Sequence, residues 1–77
     1  MKTLTSPELY DLMQKIKEKH SLLKITTNWA HQAEIEIKNT LHKYYEDEEF
    51  CYELAFGFMH MMGSRNEMIR NLENCIS

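Results

Sequence analysis

The chain has 77 residues, 43% of them apolar and 27% charged, with a formal net charge of −3, two glycines, one proline and two cysteines. Surface scaling for this mass leaves about 5,000 Å² exposed after folding and buries roughly 60% of the unfolded surface, enough for one thin core. These figures exclude a collagen-like repeat and a multidomain enzyme, argue against disorder, disfavour a turn-rich β-sandwich, and fit one helical domain over residues 1–77.

The chain passes from Met1 and Lys2 directly to Thr5-Ser6-Pro7-Glu8, without the apolar core of a secretory leader. Its longest apolar stretch, Leu54 to Met62, is broken by Gly57 and His60 and falls short of the ~20 residues of a membrane span. The expected location is the cytoplasm, with Cys51 and Cys75 reduced and buried and no membrane partner.

Ser6 as N-cap, Pro7 at the first helical position and Glu8 at the positive helix end predict a helix from 7 to about 24. Leu9, Leu12, Met13, Ile16, His20 and Leu23 form its buried face. The middle reads two ways. Thr27 or Asn28 can cap a helix with Ala30, Ala33, Ile37, Leu41 and Tyr44 on one stripe. The alternation of Leu23, Ile25, Thr27 and Trp29, then Ala33, Ile35 and Ile37, instead fits a hairpin over 22–38 turning at 30–32. A turn without Gly or Asn and an Ala-, Gln- and Glu-rich segment favour the helix.

Asp47 caps a third predicted helix, whose apolar face is Phe50, Cys51, Leu54, Ala55, Phe58, Met61 and Met62, with Gly63 as a left-handed stop. Ser64-Arg65-Asn66-Glu67 is a capping box opening a last helix with Met68, Ile69, Leu72, Cys75 and Ile76 on its stripe. The predicted fold is all-α, a small antiparallel bundle of three to four helices. An α+β fold with the 22–38 hairpin is the alternative.

Catalytic signatures are missing. The sequence has no Gly-rich phosphate loop, C-x-x-C pair, H-E-x-x-H, EF-hand loop or G-x-S-x-G elbow. The residues three before its histidines are Lys17, Asn28, Asn39 and Gly57, none of them the Glu of a di-iron bundle. Met59-His60-Met61-Met62 with Cys51 offers soft ligands suited to Cu(I), but successive helical residues point about 100° apart and do not converge on one ion. His31 and His42 share a helix side but lie about 16 Å apart at 1.5 Å per residue. A soft-metal-binding module is therefore the least favoured reading; no cofactor, metal ligand or catalytic residue is assigned, and the chain is not expected to be an enzyme.

Charge is distributed unevenly. Residues 1–43 carry +2 and residues 44–77 carry −5, concentrated in Glu46, Asp47, Glu48, Glu49 and Glu53 among Tyr44, Tyr45 and Tyr52. Such a belt attracts a basic protein surface and repels nucleic acid, and Lys15, Lys17, Lys19 and Lys24 sit outside any RNA-binding motif. The string Tyr45-Glu46-Asp47-Glu48-Glu49-Phe50 is similar to a short acidic segment of a phage-encoded Cas9 inhibitor; the likeness spans these six residues and identifies no family.

The expected function is stoichiometric protein binding, of inhibitor, antitoxin, immunity or adaptor type, consistent with a phage or mobile-element origin. Tyr45, Glu46, Asp47, Glu48, Glu49 and Tyr52 are the expected partner-binding residues. The alternative is a homodimer or higher structural oligomer with Trp29, Ile35, Phe58 and Met62 at its seam.

Overall fold

The computed structural model describes residues 4–23 and 27–76, so Lys24 and Ile25, invoked above, lie outside the described residues. Four helices follow one another: α1 (Ser6–Leu23), α2 (Trp29–Leu41), α3 (Glu48–His60) and α4 (Arg65–Ile76). The all-α expectation holds, and the hairpin does not form. Residues 29–41 are helical because Ala33, Ile37 and Leu41, four apart, are all buried on one side. Ile35 then projects outward, and Ala30, assigned to the stripe, is exposed.

Capping differs from expectation at α1 by one residue. Thr5, not Ser6, is the cap: the Glu8 N–H donates to Thr5 Oγ1 at 3.4 Å, and the Thr5 N–H donates back to Glu8 Oε1 at 3.0 Å. That reciprocal pair satisfies two of the donors a helix start leaves open. Asn28 makes no side-chain cap bond at α2. Asp47 caps α3 as predicted, its Oδ1 accepting from the Glu49 and Phe50 N–H groups at 3.0 and 3.2 Å. Ser64 begins α4, its Oγ accepting from the Glu67 N–H at 3.3 Å and donating to Glu67 Oε1 at 3.2 Å.

Gly63 does not stop α3, which ends at His60 with Met61 already extended. It serves the connection instead. Its φ is +126°, a backbone conformation that favours glycine, and a Cβ there would also stand 3.0 Å from Glu67 Oε2 and push that carboxylate aside.

α1 packs against α2 and α4 and touches α3 more lightly, while α2 packs on α3. The core draws on every helix: Leu9 and Met13 from α1, Ile37 and Leu41 from α2, Phe58 from α3 and Leu72 from α4 are all fully buried. Each such side chain contributes about 1.5–3 kcal/mol relative to exposure, so no helix can leave without opening the core. Tyr10 meets Phe58 edge to face at 5.8 Å, and Lys17 Nζ lies 5.7 Å from the Phe58 ring centre. Polar ties join the helix pairs from outside. Glu36 on α2 accepts from Lys19 of α1 at 2.6 Å and meets His20 Nε2 at 2.8 Å. Those two hydrogen bonds, Lys19's the stronger influence, hold the Glu36 carboxyl below its ordinary pKa. Arg65 ties α4 to α1 through Asp11 at 3.4 Å and the Tyr10 ring at 5.6 Å.

The radius of gyration is 12.0 Å, close to the roughly 11.5 Å of a compact chain of this length. Among the described residues, no helix is long and apolar enough to cross a membrane.

Candidate protein-binding surface

The acidic run occupies the connection between α2 and α3 and the first turn of α3. Its geometry divides the six expected contact residues into two sets. Asp47 is committed to the α3 cap. Tyr45 is half-buried, its ring edge-to-face with Phe50 at 5.3 Å, and burial raises its phenol pKa. Its carbonyl accepts from the Cys51 thiol at 3.6 Å, while His42 Nδ1 lies 3.1 Å from the same oxygen. Glu48 meets Lys38 of α2 at 3.4 Å. Tyr45, Asp47 and Glu48 thus build the connection, leaving Glu46, Glu49 and Tyr52 to face solvent. The side chains of Glu46, Glu49 and Glu53 make no hydrogen bond or ion pair among the described residues.

Sequence reasoning missed the feature that extends this surface. Tyr52, Phe56 and His60 lie four residues apart and form a continuous row along the outer side of α3. Tyr52 stacks on Phe56 with centroids 6.3 Å apart, and Phe56 meets His60 at 4.4 Å. Tyr52 is 49% exposed and Phe56 47%. The i, i+4, i+8 spacing carries this signal, but the longer inner stripe of Cys51, Leu54, Ala55 and Phe58 dominates the helix pattern over the second, aromatic stripe on the opposite side. Glu49 and Glu53 run beside the row, as does Gly57.

Beyond Glu53 and Gly57, on that same side, lies a cleft of about 320 Å³ between α3 and the C-terminal end of α4, lined by Phe50, Glu53, Leu54, Gly57, Phe58, Met61 and Cys75. Gly57 costs α3 about 1 kcal/mol relative to alanine, for want of a side chain to restrict the unfolded backbone. Nothing among the described residues requires it. A Cβ at Gly57 would meet no atom within 4 Å beyond its own helix and chain neighbours, and its φ is not positive.

The expected oligomer seam does not come together as one surface. Phe58 is fully buried between Tyr10 and Lys17 and is core in the isolated chain. Trp29 is half-buried, whereas Ile35 is exposed and Met62 is 87% exposed, in the connection after α3 rather than on its apolar face. Cys75, assigned to a buried stripe, is exposed, because α4 buries only Met68, Ile69 and Leu72. Cys51 is buried as expected. Burial, with Asp47 and Glu48 nearby, raises its thiol pKa, which disfavours the thiolate a soft metal would need. His60 is engaged with Phe56, and no group of three or more His, Cys, Asp or Glu among the described residues is placed to share an ion.

The chain matches no family model, no curated protein and no solved structure.

Proposed function

We propose that this protein works by stoichiometric binding, not catalysis, as an inhibitor, antitoxin, immunity protein or adaptor, and that it engages a basic protein surface through Glu46, Glu49, Tyr52, Glu53 and Phe56. The observation that carries the reading is the exposed aromatic row beside carboxylates that have no partner among the described residues. Tyr52 and Phe56 supply rigid contact area at low entropic cost, and the carboxylates can accept charge-assisted bonds from arginine or lysine. Tyr45, Asp47 and Glu48 support this surface from beneath by fixing the connection and the start of α3. A cytoplasmic setting suits the reading, because the free thiols then stay reduced.

The test is capture from a lysate of the source organism with tagged wild-type protein and with a Glu46→Lys/Glu49→Lys variant, which spares the Asp47 cap. A protein retained by wild type and lost with the variant supports the reading. Equal retention by both contradicts it.

A second reading, self-association, is favoured by the exposure of Leu22 and Met62, at 85% and 87%. Sedimentation at tens of micromolar, an order of magnitude at which modest oligomers form, distinguishes it: a monomer argues against this reading.

A further inference from the structure

We infer that the cleft between α3 and α4 receives the apolar side of a basic amphipathic helix from a protein partner, with Gly57 as the point of closest approach. This rests on the binding-surface reading above and specifies its occupant. Glycine in the middle of a helix is destabilising, and at position 57 neither the backbone angle nor any neighbour among the described residues demands it. What the missing side chain does provide is open α3 backbone at the wall of an apolar cleft. Small residues of this kind let a second helix approach within the normal interaxial distance of packed helices.

The shape suits a helix. The wall is itself helical, with Phe50, Leu54 and Gly57 at i, i+4 and i+7, so an incoming helix with apolar residues at the same spacing can set them into its grooves. The charge suits a basic one. Glu53 is the charged residue in the lining, Glu49 lies one turn before it, and neither has an internal partner among the described residues. A second copy of this chain seated by a two-fold axis through the cleft would bring Glu49 and Glu53 near their own equivalents, so like charges would oppose that pairing.

The experiment uses two labelled peptides of about 18 residues, five helical turns, made of leucine and lysine. One has its leucines on a single face, and the other is a scramble of equal charge. Each is titrated into the full chain and into Gly57→Leu at low salt, with amide shifts followed by NMR. Gly57→Leu places a side chain in the cleft while raising helix propensity, and its thermal unfolding separates lost binding from lost fold. The expected result is about tenfold tighter binding of the amphipathic peptide than of the scramble. Shifts should appear at Gly57 and Cys75, and Gly57→Leu should weaken binding about tenfold with no loss of thermal stability. Equal binding of both peptides, with shifts confined to residues 46–49 and Gly57→Leu binding as wild type, overturns the cleft assignment while the acidic-surface reading stands. No binding by either peptide overturns both. A dimer of the free protein that Gly57→Leu dissociates overturns the choice of partner helix over second copy.

Discussion

Phe56 and Phe58 stand two residues apart on one helix, yet Phe58 is fully buried while Phe56 is 47% exposed. The same contrast runs along the whole of α3. Cys51, Leu54 and Ala55 share the inner side with Phe58, whereas Tyr52 and His60 line up with Phe56 outside. Two residues turn the helix by about 200°, so a short apolar run must serve both sides. The inner side holds the four helices together. The outer side contributes little to folding, because exposed aromatic area remains in water.

The largest expected effect breaks the inner side. Phe58→Ala removes a ring enclosed by Tyr10 and Lys17 and should cost about 3–5 kcal/mol in urea unfolding. That is much of the stability of a domain this small. A loss below about 1 kcal/mol, the level of surface substitutions, would mean that Phe58 is not the keystone described.

The acidic run contains the same contrast at lower energy. Asp47→Ala should destabilise by about 1 kcal/mol through the lost α3 cap. Glu46→Ala, one residue away and unbonded, should stay within about 0.5 kcal/mol of wild type. Equal effects at the two positions would erase the division between carboxylates that fold and carboxylates that bind.

A smaller effect tests the α1–α2 clasp. Because the Glu36 carboxyl titrates below its ordinary value, its stabilisation is complete above about pH 4.5 and fades as pH falls through the folded pKa. Glu36→Gln should therefore lower stability at neutral pH by roughly 0.2–1 kcal/mol, the range of exposed pairs. Its unfolding curves should converge with wild type in acid. Parallel curves down to the lowest pH would remove Glu36 from the clasp.

Much of the fold was legible because local rules and burial agreed. The predicted α1, residues 7 to about 24, differs from the observed Ser6–Leu23 by one residue at its start, since Thr5 and Ser6 are both competent caps and only Thr5 lies three before Glu8. Leu23, expected on the buried face, is exposed. Along α2 the helix won over alternation because Ala33, Ile37 and Leu41 together find a core, whereas the hairpin register would have needed Ile35 inside. The surface was less legible. Periodicity marks which residues share a side but not whether a neighbouring helix covers it, and so Phe58 was placed at a seam and Phe56 overlooked. The division among the carboxylates was also hidden, because Asp47 as a cap could be read locally while the Glu48–Lys38 pair depends on how α2 meets α3.

The central claim is that the outer side of α3 binds and does not fold. Its most direct test compares wild type with Tyr52→Ala/Phe56→Ala in thermal unfolding and in retention of the captured partner. The account expects a change in stability below about 1 kcal/mol, the small worth of one exposed i, i+4 pair and two surface sites, together with loss of the partner. Undiminished retention of the partner, or a loss of stability approaching that of Phe58→Ala, would contradict it.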